Sequence, residues 1–295
     1  DLDNAAEGST VELKGTITTN LSVNKKLTLT AAEDAVMKAG LTINANDVTV
    51  SGVHFTLDGT TGATDSLRNS GKTGLAVKGC TFDITSNADA QLNSVWLGYG
   101  ADSATVDGNF FYINLPGTDN SYVAINIVGA TVKDTAVSNN QVYYRDNSQP
   151  VGSAHFLIAN GNKSEAGQYG LSGLKVTGNK VDNITGLSAD TSHTYGIGVS
   201  NAEDAVISDN EFSGLYMAVK PSMWPGEAPS KSIVLTSNMF TSCYVGIMMR
   251  TSDVEPGAVV SKDNEFGMLT KIPYAGLNGD YALVWQSEDG HLYPD

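Results

Sequence analysis

The chain has 295 residues, 41% of them hydrophobic, and sets 17 Lys and Arg against 32 Asp and Glu for a net charge of −15. That apolar content, evenly spread, excludes a disordered chain, and the acidic excess with its few scattered cations excludes nucleic acid as a partner. No run of about 18 apolar residues occurs, so no membrane-inserted helix is expected.

Taken in chain order, the opening AAEGSTVELKGTITTNLSVNKKLTLTAAED reads as short strands, Thr10–Leu13 and Leu27–Thr30, separated by turns. Asp1–Glu7 is expected to belong to an N-terminal cap, and a chain that begins at Asp1 rather than Met is expected to be a processed or excised piece. LTINANDVTVSGVHF follows in the same manner. From there one phrase recurs: alternating apolar residues, then Ser, Gly or Asp, then Asn, then an apolar residue two places on. Its copies are ATVDGNFF, TAVSNNQV, LKVTGNKV, AVISDNEF, IVLTSNMF and VVSKDNEF, with VTVSGVHF and LAVKGCTF as earlier, degenerate forms.

The repeated Asn residues are 109, 140, 179, 210, 238 and 264, so the steps are 31, 39, 31, 28 and 26. Steps this uneven do not suit a helical array of fixed units. They suit stacked short strands joined by loops of varying length. The alternation within each copy is strand periodicity, with one face buried. An Asn at each corner can take left-handed backbone or bond neighbouring backbone, and stacked Asn amides can form a hydrogen-bonded ladder. These Asn residues therefore read as structural.

A second column precedes the first: VWLGYG, YVAINIVG, HFLIANG, YGIGVSN, YMAVKPS and YVGIMMRT. Strict alternation points Val123, Ile125, Phe156, Ile158, Ile197, Val199, Val219, Ile247 and Met249 inward. It points Trp96, Ala124, Asn126, His155, Leu157, Gly196, Gly198, Ala218, Lys220, Gly246 and Met248 outward. A Gly- and Ala-rich outer face is expected where a ligand or another segment comes close. Each coil thus holds at least two strands. The expected architecture is all-β: a single-stranded right-handed parallel β-helix of about nine or ten coils over residues 1–266, with 267–295 as a C-terminal cap whose closing strand is Tyr281–Gln286. Cys80 and Cys243 lie many coils apart and are expected to be buried free thiols.

AAEGSTVELKGT and LTINANDVTVSGVHF resemble the first coils of the pectate-lyase-like β-helix superfamily, and the resemblance runs from about Ala5 to Phe266. It implies fold rather than activity, because unrelated functions share this architecture. It also implies where to search. The Arg-x-Pro-x-x-Arg of pectate lyases, the Asn-Thr-Asp and Gly-His-Gly of polygalacturonases and the Asp-Pro-His of alginate epimerases are absent from the sequence.

What remains is the outer column. Lys220 or His155 is a candidate base, with Arg250 as the electrostatic partner that a lyase needs for its enolate-like intermediate. Trp96, Asn126, Tyr195, Tyr216, Trp224 and Tyr244 are candidate sugar contacts, since rings offer apolar faces and polar groups fix orientation. Trp224 falls in the excursion PSMWPGEAPS, which could wall a cleft. Carboxylate pairs for a hydrolase would come from Glu227, Asp253, Glu255, Glu203 or Asp204. No dense Asp pattern for calcium occurs and four dispersed His give no zinc spacing, so no cofactor is expected, and Ca²⁺ has no motif behind it. The expected protein is an extracellular or cell-surface β-helix binding a carbohydrate polymer or surface glycan. A divergent polysaccharide lyase or glycoside hydrolase is the first alternative, and a structural rod of a surface layer or virion the second.

Overall fold

A computed structural model describes residues 2–58, 61–85, 90–114, 121–129, 131–145, 153–162, 169–184, 194–221, 230–250, 258–267, 270, 272–278, 280–282, 284–286 and 290–294; for 250, 272–286 and 292–294 this covers the backbone course only. Among these residues there is no helix, and hence none that is long and apolar enough to cross a membrane. The strands form three long parallel sheets, each strand hydrogen-bonded to its counterpart one coil away. The second sheet runs from Thr16–Ile17 to Glu265–Phe266 and the third from Leu21–Val23 to Ile272–Asn278. The chain is a parallel β-helix of about ten coils, as the repeat predicts. Thr10–Leu13 is a strand, and Thr28–Ala31, its neighbour on the first sheet, is shifted by one residue from the expected Leu27–Thr30, with Thr16–Ile17 and Leu21–Val23 as further strands between them. Parallel stacking on the third sheet continues past Phe266 through Ile272–Asn278, which then turns antiparallel onto Asp280–Ala282.

The core is built from the inward side of every strand. Phe55, Phe82 and Phe111 occupy one register position on the second sheet and stack at 4.8 and 4.9 Å between ring centroids. Phe212, Phe240 and Phe266 repeat this at 5.4 and 4.9 Å. Burial of each such ring stabilises the fold by roughly 2–3 kcal/mol. Cys80 and Cys243 are buried free thiols, and burial pushes both up to about 11.

The Asn ladder exists, with its backbone roles divided differently from expectation. The left-handed residue is the one before each Asn: Gly108, Asn139, Gly178, Asp209, Ser237 and Asp263 have φ of 64, 54, 66, 57, 54 and 54°. This explains why the position is Gly, Asn, Asp or Ser. The ladder Asn itself turns inward, and its Oδ1 accepts both the backbone N–H and the amide of the Asn one coil earlier, at 2.9–3.1 Å from Asn109 through Asn264.

On the third sheet strict alternation fails at one place in every coil. Register passes from Asn93↔Val123↔His155↔Tyr195↔Met217 to Val95↔Ile125↔Leu157↔Ile197↔Val219, and the residue between them makes no such pair. Two successive side chains, Ala124 with Ile125, Phe156 with Leu157 and Ala218 with Val219, join the core. Ala124, Leu157 and Ala218, expected outside, are therefore inside. Val123 and Ile158, expected inside, form a separate cluster apart from the core. The cause is a bulge stacked on a bulge, which shifts the face by one residue while leaving neighbouring coils in register. The small residues at this position serve the interior: a Cβ on Gly196 would overlap the Ala218 carbonyl oxygen and press on Phe212.

Candidate functional site

With the bulge taken into account, two register positions define the outer face of the third sheet. One carries Asn93, Val123, His155, Tyr195, Met217 and Val245, and the other Arg68, Trp96, Asn126, Ile158, Gly198 and Lys220. Lys220, His155, Trp96, Asn126 and Tyr195 all lie on this face, as expected. They fall into two groups.

The first group is polar and begins a coil earlier than the sequence pattern indicated. Arg68 donates from NH1 to Asp65 at 2.8 Å, and its guanidinium lies 3.8 Å from the centre of the Trp96 ring. Asp65 also accepts from Asn93 Nδ2 at 2.8 Å, and Asn93 Oδ1 in turn accepts from Asn126 Nδ2 at 3.0 Å and from Gln91 Nε2 at 3.0 Å. A carboxylate only accepts, so it fixes the orientation of both amides behind it. Asn126 is thereby left with Oδ1 buried and without a hydrogen-bond partner among the described residues. Asp65, Asn93 and Trp96 are buried, and Arg68 keeps 44% of its side chain exposed. Arg68 sits in DSLRNS, a strand with neither the aromatic nor the Gly signature of the later coils, so the repeat does not mark it.

The second group is aromatic. His155 stacks on Tyr195 at 4.7 Å, Tyr195 meets Tyr216 edge-on at 6.2 Å, and Tyr216 stacks on Tyr244 at 5.3 Å. Met217, Val245 and Met248 pack against these tyrosines. The ring faces at both stacked pairs are thus turned toward one another, as in a packing ladder rather than a row of open platforms for sugar. Tyr144 reaches across from the second sheet, and its hydroxyl donates to the Tyr195 carbonyl at 2.5 Å. His155 contacts Ser153 Oγ through Nε2 at 3.2 Å, and Ser153 in turn shares a hydrogen bond of 2.6 Å with Ser121. The Nδ1 of His155 is buried and has no hydrogen-bond partner among the described residues. Burial, followed by the nearby Lys220 charge, pulls the imidazole down to about 3. It is therefore neutral at pH 7 and a poor proton acceptor.

Arg250 ends the strand Val245–Arg250, one coil beyond Lys220, but its side chain lies outside the described residues. Trp224, Glu227, Asp253 and Glu255 also lie outside them. Glu203 and Asp204 lie on the strand Ala202–Ser208 of the first sheet, away from this face. Among the described residues no three His, Cys, Asp or Glu side chains come together as a metal site. Elsewhere, a polar groove of about 440 Å³ follows the Asn corner past Asn139, Gln141, Lys180, Asp209 and Glu211. On the second sheet Arg145 pairs with Asp83 at 2.8 Å and lies over Tyr112.

No protein-family model matches the chain, and no curated protein matches it. Solved structures do. An alginate lyase from Paenibacillus sp. str. FPU-7 aligns with a TM-score of 0.57 at 13% identity, over 92% of this chain and 93% of that one. PfbA, a surface adhesin of Streptococcus pneumoniae, aligns with a TM-score of 0.52 at 10% identity, over 100% of this chain and 79% of that one. At such identities the likeness is one of backbone architecture and carries no site residue across. At the level of fold, the chain is a right-handed parallel β-helix.

Proposed function

We propose that this β-helix binds a carbohydrate polymer along the outer face of its third sheet, outside the cell or at its surface. The observation that carries the reading is the pair of buried, unpartnered polar atoms on that face, Asn126 Oδ1 and His155 Nδ1. Buried polar atoms in a folded protein are normally satisfied, and leaving one bare costs about 1–3 kcal/mol. A sugar hydroxyl donates and accepts, so it can serve either atom once the side chains that cover them move aside. From Trp96 to Lys220 the register advances four coils, roughly 19 Å at about 4.8 Å per coil. An extended oligosaccharide matches that span. Similar folds include a protein named as an adhesin and one named as an alginate lyase, so both binding and turnover are compatible with the architecture.

Catalysis is the second reading, and Lys220 favours it. A lyase needs a base, and the depressed His155 is poorly suited, which leaves Lys220 as the base with Arg250 as its electrostatic partner. A glycan array run beside an assay for unsaturated uronate products separates the two readings. Binding without turnover is the expected result and sets the lyase aside. Turnover that is lost in Lys220→Ala would overturn the purely binding reading.

A further inference from the structure

Tyr99 is out of place for a residue without a task. It follows the strand Leu92–Gly98, has φ of 52°, and is 58% exposed. A bulky side chain in the left-handed region is strained, and such strain persists where surrounding structure enforces it and function uses it. Here the enforcement is visible. The Tyr99 ring lies against Gly129 of the next coil, where a Cβ would come within 2.8–2.9 Å of its carbons, and 5.8 Å from the Trp96 ring. Trp96 in turn lies over Gly98, where a Cβ would overlap its six-membered ring. Two glycines are thus kept bare beneath two rings. Arg68 covers Trp96, held in place by the buried carboxylate of Asp65.

We infer that Arg68, Trp96 and Tyr99 form a stacking subsite for a neutral hexopyranose residue. This rests on the glycan-binding reading and names its ligand class. Tyr99 supplies an open ring for the apolar face of the sugar, which the self-stacked Tyr216 and Tyr244 do not. Arg68 uses NH1 on Asp65, and its remaining N–H donors, unbonded among the described residues, can meet a ring oxygen or hydroxyl. The ligand class follows from charge. Asp65 already neutralises Arg68, and the whole chain stands at −15. A polyuronate would meet the repulsion of the acidic chain with Arg68 already paired, whereas a neutral sugar pays no such penalty.

The test is calorimetric titration of the full chain with neutral hexasaccharides (cello-, laminari-, malto- and mannohexaose) and with hexagalacturonate and hexaguluronate. At least one neutral hexasaccharide should bind, with little change between low and high salt, and the two acidic ones should bind at least tenfold more weakly. Tyr99→Gly should weaken that binding about three- to tenfold, and Tyr99→Phe should leave it unchanged. Glycine is at ease at positive φ, so thermal unfolding of Tyr99→Gly should stay close to wild type. Unchanged affinity in Tyr99→Gly, or preference for the acidic sugars, would overturn the subsite while leaving glycan binding intact. No binding of any hexasaccharide would overturn both.

Discussion

His155 faces Tyr195 and Ser153 with Lys220 nearby, and only burial and that one charge act on its basicity. The imidazole drops from an unfolded value near 6.5 to about 3, so between those limits the unfolded chain holds a proton that the folded one does not. Stability therefore rises with pH across that window and is lost as the solution is acidified from about 6.5 toward 3. The full span is on the order of 5 kcal/mol at about 1.36 kcal/mol per unit. Urea unfolding at pH 7, 5.5 and 4 should show His155→Gln losing less stability on acidification than wild type. Parallel pH dependences in the two proteins would mean that His155 keeps its ordinary basicity. The prominence of His155 and Lys220 on one face was legible in the sequence. The depressed basicity was not, because it arises from burial by residues distant along the chain.

At the scale of elements, two stacked devices give the solenoid its shape, and only one is legible in the sequence. The Asn-x-apolar phrase marks the corner because the same side chain is required coil after coil. Asn179 accepts from the N–H and amide of Asn140 and donates to Asn210 Oδ1 and the Val137 carbonyl. Asn179→Leu strands two buried donors of Asn140, and we expect a loss of roughly 3–5 kcal/mol in urea unfolding. The neighbouring Asn139, which is exposed and left-handed, should tolerate Asn139→Gly within about 1 kcal/mol. Equal losses at the two positions would contradict the division of labour between them. The third-sheet bulge has no such signature. It is filled by Ser94, Ala124, Phe156, Gly196 and Ala218, chosen for the space each coil leaves inside. A single period-two phase therefore cannot fit both sides of the bulge: it places Ile125, Ile197 and Val219 correctly beyond it but misplaces Val123 before it, and in the His155 coil it fits His155 and misplaces Leu157 and Ile158.

Over the whole molecule, each coil packs mainly on its neighbours, so stability accumulates along the axis and function is free to occupy one face. The ladder corner and the phenylalanine stacks are given over to structure. The third sheet differs in setting an exposed strained tyrosine, a clamped arginine and two polar atoms unpartnered among the described residues along one side of the coil. Repeat spacing alone reveals the solenoid, but Arg68 lies outside every repeated phrase, and Tyr99, inside VWLGYG, stands where the next copy has Gly129, so neither is marked by the pattern. The most direct measurement is a structure of the protein with a bound neutral hexasaccharide. The sugar chain is predicted to run along the helix axis over the third sheet, with one residue on Tyr99 and hydroxyls toward Asn126 and His155. A sugar seated on the first or second sheet, with the third-sheet face empty, would contradict the account.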